Sequence, residues 1–187
     1  MNEAMPDLLR HESYDILIAG VGNIFLGDDA FGVELARRMA ARQLRDGVHV
    51  VDFGIRGLDL AYAILDGCGS VILVDAVARG QPPGTLYVLE PQIDDEVDAR
   101  PAAMVDAHGM DPASVLRLVR QLGGPATPIW LVGCEPSPLT DDDDLPTGLS
   151  EPVAAAMNDA IKLVDQIVER ILGSREPAKI LAAADSH

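Results

Sequence analysis

Apolar and polar positions fall in blocks along the chain, and the period changes from block to block. Tyr14 to Gly20, YDILIAG, is a short apolar run closed by glycine, the pattern of a buried strand. From Ala30 the period lengthens. Phe31, Leu35 and Met39 recur every four residues, which predicts an amphipathic helix. Val48 to Phe53 reads as a second strand, closed by Gly54-Ile55-Arg56-Gly57, and LDLAYAIL at 58–65 as a short helix stopped by Gly67 and Gly69. Ser70 to Asp75 is a third strand. GTLYVLE at 84–90, after the turn Gln81-Pro82-Pro83-Gly84, predicts a fourth, as an antiparallel edge. Residues 111–122 read as a helix ended by Gly123-Gly124, and Pro128 to Gly133 as a fifth strand. A long helix from Ser150 places Met157, Ile161, Val164, Val168 and Ile171 on one stripe. Segments 91–107 and 135–149 read as loops, while 1–13 and the residues from Gly173 onward read as flexible tails.

Strands alternating with helices imply an α/β fold: a three-layer sandwich with a twisted, mostly parallel five-stranded sheet and helices on both faces. A length of 187 residues suits one domain, with its core over about 14–172, and no internal repeat or linker interrupts it. Sheets of this kind place ligands beyond the carboxyl ends of their strands. The loops to watch are therefore 21–29, 53–57, 76–83 and 134–149. The loop before the 111–122 helix joins them if it folds over the same edge.

Composition narrows the partners. A formal charge of −16 argues against nucleic acid, whose phosphates would be repelled, and permits a cationic partner or a metal. No apolar run approaches the roughly 20 residues of a membrane span. The start, MNEAMPDLLRHES, lacks the basic and apolar regions of a secretory signal. Two cysteines, Cys68 and Cys134, make no disulfide framework and fit a reducing cytoplasm.

The junction GNIFLGDDAFG at 22–32 carries two adjacent aspartates between the first strand and the first helix. A dinucleotide site fails there, because a GxGxxG pattern starting at Gly20 needs glycine where Phe25 stands, and Asp28 and Asp29 would face a pyrophosphate. A receiver-like, acidic-pocket signalling module would share the acid pair and Asp75. It also needs a lysine after the last strand, where this chain has Gly133-Cys134-Glu135-Pro136. Cys134 reads as an apolar filler rather than a nucleophile, and no GxSxG elbow is present. The remaining chemistry is a divalent metal held by Asp29, Asp75 and His108. Two carboxylates and an imidazole suit nickel or zinc and leave positions open for water or substrate. Each of the three also has an ordinary structural reading: a helix N-cap, a strand-end acceptor and a solvated loop histidine. Their joint appearance on loops along one sheet edge favours the metal.

Taken together, these residues resemble the endopeptidases that mature nickel–iron hydrogenases. The likeness is carried by GVGNIFLGDDAFGVELARRM at 20–39, VVDFGIRGLDLAY at 50–62, VILVDAVARGQPPGTLYVLE at 71–90, VDAHGMDPASVL at 105–116, WLVGCEP at 130–136 and GLSEPVAAAM at 148–157. It spans nearly all of 14–172. The resemblance implies a catalytic and metal-binding trio of Asp29, Asp75 and His108, at whose first position the family alternates between glutamate and aspartate. It implies removal of a C-terminal extension from a hydrogenase large-subunit precursor already loaded with nickel, by a monomeric cytoplasmic enzyme without an organic cofactor. Zinc or cadmium would stand in for nickel. Either the metal polarises the scissile carbonyl or activates water, or it is a recognition tag and Asp29 or Asp75 acts as general base. Asp52, Gly54 and Arg56 match a family loop and are read as substrate contacts. Of the aspartate pair, Asp28 is the expected cap of the first helix and Asp29 the expected ligand. The Asp141–Asp144 run reads as a solvated loop.

Overall fold

The computed structural model describes residues 14–90, 112–138 and 148–175. Among them the chain forms β1 (Ile16–Val21), a single 3-10 turn (Gly27–Ala30), α1 (Phe31–Ala40), β2 (Val48–Gly54), α2 (Gly57–Leu65), β3 (Val71–Ala76), β4 (Leu86–Leu89), α3 (Pro112–Gln121), β5 (Ile129–Cys134) and α4 (Glu151–Arg175). The five strands make one sheet in the order β2-β1-β3-β5-β4. β2, β1, β3 and β5 are parallel to their neighbours, and β4 is the expected antiparallel edge, paired with β5.

Strand alternation divides the core into two layers. Ile16, Ile18, Ile72, Val74 and Val132 pack with Phe31, Leu35 and Met39 of α1 and with Met157 and Val164 of α4. Leu17, Ala19, Leu73 and Val71 face the other way, against Leu60 and Ile64 of α2 and Val115 and Val119 of α3. The central strands are apolar on both sides because both faces are covered. This is why they read as unbroken runs rather than alternating ones.

The chain leaves β1, crosses to β2 through α1, then returns past β1 to β3 through α2. With right-handed crossovers that reversal puts α1 and α2 on opposite faces and opens a fork between the carboxyl ends of β1 and β3. Gly32 lets α1 enter the fork. A Cβ there would lie 2.1 Å from the Val74 carbonyl oxygen and 2.3 Å from that of Val21. Both are backbone atoms of buried strands, so neither can retreat far.

α4 departs from expectation at its end. It runs through Gly173 and Ser174 to Arg175, whereas a tail was expected from Gly173. Ile167, Val168 and Ile171 continue its buried stripe, and the Ser174 hydroxyl donates to the Ile171 carbonyl at 2.7 Å. That packing outweighs the cost of about 1 kcal/mol for glycine inside a helix. The Asp141–Asp144 run and residues 1–13 lie outside the described residues.

Gly32→Ala is expected to destabilise the domain by about 3 kcal/mol through overpacking. Urea denaturation reads this directly, and an unchanged midpoint would contradict the close approach of α1.

Candidate active site at the carboxyl edge

Three of the watched loops converge where β1, β2 and β3 end. In the parallel register Gly20 lies beside both Asp52 of β2 and Val74 of β3, so Asp52 and Asp75 lie at nearly the same level near the carboxyl ends of their strands. A bulge follows: Val21 pairs with Gly54, and Phe53 is the extra residue. Bulges bend a strand and re-aim its end. Here the bend carries Gly54 to Arg56 over the edge.

Gly22 joins two of these loops. Its N–H donates to the Gly54 carbonyl at 3.0 Å. Its φ of +133° suits glycine, and a Cβ on it would fall 1.8 Å from the Asp29 carbonyl oxygen. The Asp29 turn therefore rests on Gly22. The half-buried Asp29 carboxylate accepts the Asn23 N–H through Oδ2 at 2.7 Å. Asp75 is half-buried at the end of β3, one residue beyond the Val74 carbonyl that receives α1. Asp29 and Asp75 thus flank the β1/β3 fork. His108, the third member of the expected trio, lies outside the described residues.

The residues expected to contact substrate, Asp52 and Arg56, are held in place. Asp52 Oδ2 accepts the Arg37 Nε–H at 3.1 Å, an ion pair between β2 and α1. Arg56 donates to the Asp52 and Phe53 carbonyls and pairs with Asp59 at 3.4 Å. These bonds brace the bulge while leaving much of the Arg56 side chain exposed.

Asp28 does not do what the sequence suggests. The N-cap positions of the 3-10 turn and of α1, Leu26 and Ala30, have no side-chain cap. Instead the buried Asp28 carboxylate turns away from α1 to α4. Oδ1 accepts the Ser150 N–H at 2.6 Å, and Oδ2 accepts the Ser137 N–H and the Ser150 hydroxyl, each at 2.8 Å. Ser150 is the residue before α4, and its carbonyl accepts the first intrahelical bond, from Ala154. Asp28 therefore supplies a negative charge at the N-terminus of a helix more than a hundred residues away.

Cys134 ends β5, fully buried, and burial pushes its thiol up to about 11, with Asp28 and Glu135 adding like-charge repulsion. That environment suits a filler, since a nucleophile needs the thiolate. Glu135, which sequence reasoning did not single out, is a buried carboxylate. It accepts the N–H groups of Arg79 at 2.9 and 2.8 Å and of Gly80 at 2.9 Å, and the Tyr87 hydroxyl donates to it. The Tyr87 hydrogen bond and the backbone N–H groups hold its pKa below the ordinary value against the opposing effect of burial. Glu135 anchors the 76–83 loop. The one visible signal was a charged residue directly following an apolar strand.

A model of the hydrogenase maturation protease family matches residues 33–167. The chain belongs to the hydrogenase maturation protease family. The hydrogenase 2 maturation protease of Escherichia coli K12 is 31% identical over 150 residues, covering 80% of this chain and 87% of that protein. The hydrogenase expression/formation protein HupM of Azotobacter chroococcum is 33% identical over 153 residues, 81% of this chain and 70% of that one. Among solved structures, the hydrogenase maturating endopeptidase HybD from E. coli superposes with a TM-score of 0.65 at 31% identity, over 84% of this chain and 93% of its own. This maturation protease is accordingly an endopeptidase of hydrogenase maturation, with the fold of that relative. The receiver-like alternative finds buried Glu135 just beyond β5, where it requires a lysine. Among the described residues, no helix of the maturation protease is long and apolar enough to cross a membrane.

Two predictions follow from the carboxylates that build this edge. Asp28→Ala strands three donors and is expected to cost about 2–4 kcal/mol, against about 1 kcal/mol for Asp29→Ala, which releases one. Chemical denaturation compares them; equal losses would contradict the separation of roles. Glu135, with its folded pKa depressed, contributes stability that is complete above about 4.5 and is lost as pH falls through the folded value. Glu135→Gln should therefore melt below the unaltered protein at neutral pH, with the gap closing in acid. A gap independent of pH would contradict the assignment.

Proposed function

We propose that this endopeptidase removes the C-terminal extension of a nickel-loaded hydrogenase large-subunit precursor, working as a monomer in the cytoplasm. The observation that carries the reading is the placing of Asp29 and Asp75 on either side of the β1/β3 fork, the switch point where sheets of this class bind ligands. Both carboxylates are half-buried, and in this reading they meet the cation that the substrate brings.

In this reading nickel arrives as part of the precursor, and no organic cofactor takes part. Asp29, Asp75 and His108 meet the metal; two carboxylates and an imidazole are a donor set suited to nickel, and zinc or cadmium can replace it. Asp52, Gly54 and Arg56 border the approaching polypeptide. Metal contact would then make cleavage conditional on prior nickel insertion, and the three side chains serve both recognition and hydrolysis.

The test incubates the purified protein with nickel-loaded and nickel-free precursor and reads the C-terminal mass. Cleavage of the loaded form alone is expected, and equal cleavage of both would refute metal-gated recognition. Asp29→Asn and His108→Ala should each lower processing of the loaded form by at least about a hundredfold. Full activity of either variant would remove that residue from the site.

A further inference from the structure

The edge that carries Asp29 also exposes an unusual run of apolar side chains. Ile24, Phe25 and Leu26 are 42%, 74% and 41% accessible. Ile55, in the loop after β2 whose Gly54 carbonyl accepts the Gly22 N–H, and Leu58, in the first turn of α2, are 46% and 39% accessible. Single exposed apolar residues are ordinary, but three in succession beside two more are not, unless they meet a partner.

These side chains are presented by an ordered turn. Asn23 donates its N–H to Asp29 and accepts the Phe25 N–H on its own side-chain oxygen at 3.0 Å; the Leu26 N–H then bonds the Asn23 carbonyl at 3.1 Å. The apolar turn is thus fastened to Asp29 itself. The bond from Gly22 N–H to the Gly54 carbonyl sets it beside the loop that bears Ile55.

We propose that Ile24, Phe25, Leu26, Ile55 and Leu58 form a footing on which the large-subunit precursor docks through an apolar surface of its own, next to the bond to be cut. This rests on the reading of Asp29 as part of the active site. An endopeptidase must lay its polypeptide substrate across that edge, so the footing is continuous with the surface the substrate already occupies. The chain is strongly acidic overall, yet residues 22–27 carry no charge. An apolar partner face is selected there, and its grip does not depend on salt.

The test compares the unaltered protein, Phe25→Ser/Leu26→Ser, and Leu122→Ser, which removes an equally exposed apolar residue just past the end of α3, near the amino edge of the sheet. Cleavage of nickel-loaded precursor is followed at low and high salt, with sedimentation of each protein alone. The double variant should raise KM by about tenfold or more, with the loss in KM rather than kcat and the same at both salt concentrations. Leu122→Ser should leave KM where it was. Cleavage by the unaltered protein with no rise in KM for the double variant overturns the footing and leaves the proposed function standing. A self-associating protein that the double variant dissociates, at unchanged KM, assigns the patch to a second copy and also overturns it. No cleavage by the unaltered protein overturns the proposed function and the footing together.

Discussion

The first turn of α1 can lie against the carbonyls of Val21 and Val74 because Gly32 has no side chain to keep them apart. Those carbonyls belong to β1 and β3, the two strands whose ends open where the chain reverses direction. The contact fixes the depth of α1 in the fork. Asp29, three residues earlier, is consequently held at the fork mouth, with its carbonyl on Gly22. A methyl group at position 32 would push the helix outward and take the candidate ligand with it. Core packing and site geometry therefore share one constraint.

The adjacent aspartates divide their work because successive side chains in a 3-10 turn point about 120° apart. Asp28 is directed inward, where three donors from Ser137 and Ser150 neutralise much of the cost of burying its charge. Asp29 is directed to the half-buried edge. Asp28 also ties the turn to the segments on both sides of residues 138–149, so the β1–α1 and β5–α4 connections are braced against each other. A cation placed near the start of α1 meets the unfavourable end of a helix dipole. The corresponding end of α4 already has Asp28. In the proposed reading Asp29 and Asp75 meet the cation together at the fork.

Much of the fold was legible because its signals are local. Unbroken apolar runs marked β1 and β3, a four-residue period marked α1, and glycines closed the elements near their true ends. The positions of Asp52 and Asp75 were legible for a related reason: each lies near the end of an apolar strand, and parallel strands all stop at one edge, whereas Asp29 lies beyond β1 in the turn before α1. Contacts between distant segments were not legible. Asp28 followed by a helix has the local look of its N-cap, and nothing nearby in the sequence reveals that Ser150 supplies the competing donors. Glu135 looked like a loop residue until the N–H groups of Arg79 and Gly80 were brought to it by the turn of β3 into β4. The bulge at Phe53 depends on the pairing of β2 with β1, which periodicity does not encode.

The same geometry bears on what an aspartate in place of glutamate does at position 29. The shorter side chain has one methylene less of reach, and a flexible carboxylate could use both oxygens on a metal. Asp29 is less free. Oδ2 is engaged by the Asn23 N–H at 2.7 Å, and that bond also organises the apolar turn. Oδ2 keeps a second lone pair, so a cation there would share the oxygen with the Asn23 N–H, a bond worth about 1.5–3 kcal/mol for a charged acceptor. Oδ1 has no hydrogen bond among the described residues. The aspartate thus exchanges reach for a fixed direction, and the depth that Gly32 allows α1 is what keeps that direction aimed at the fork.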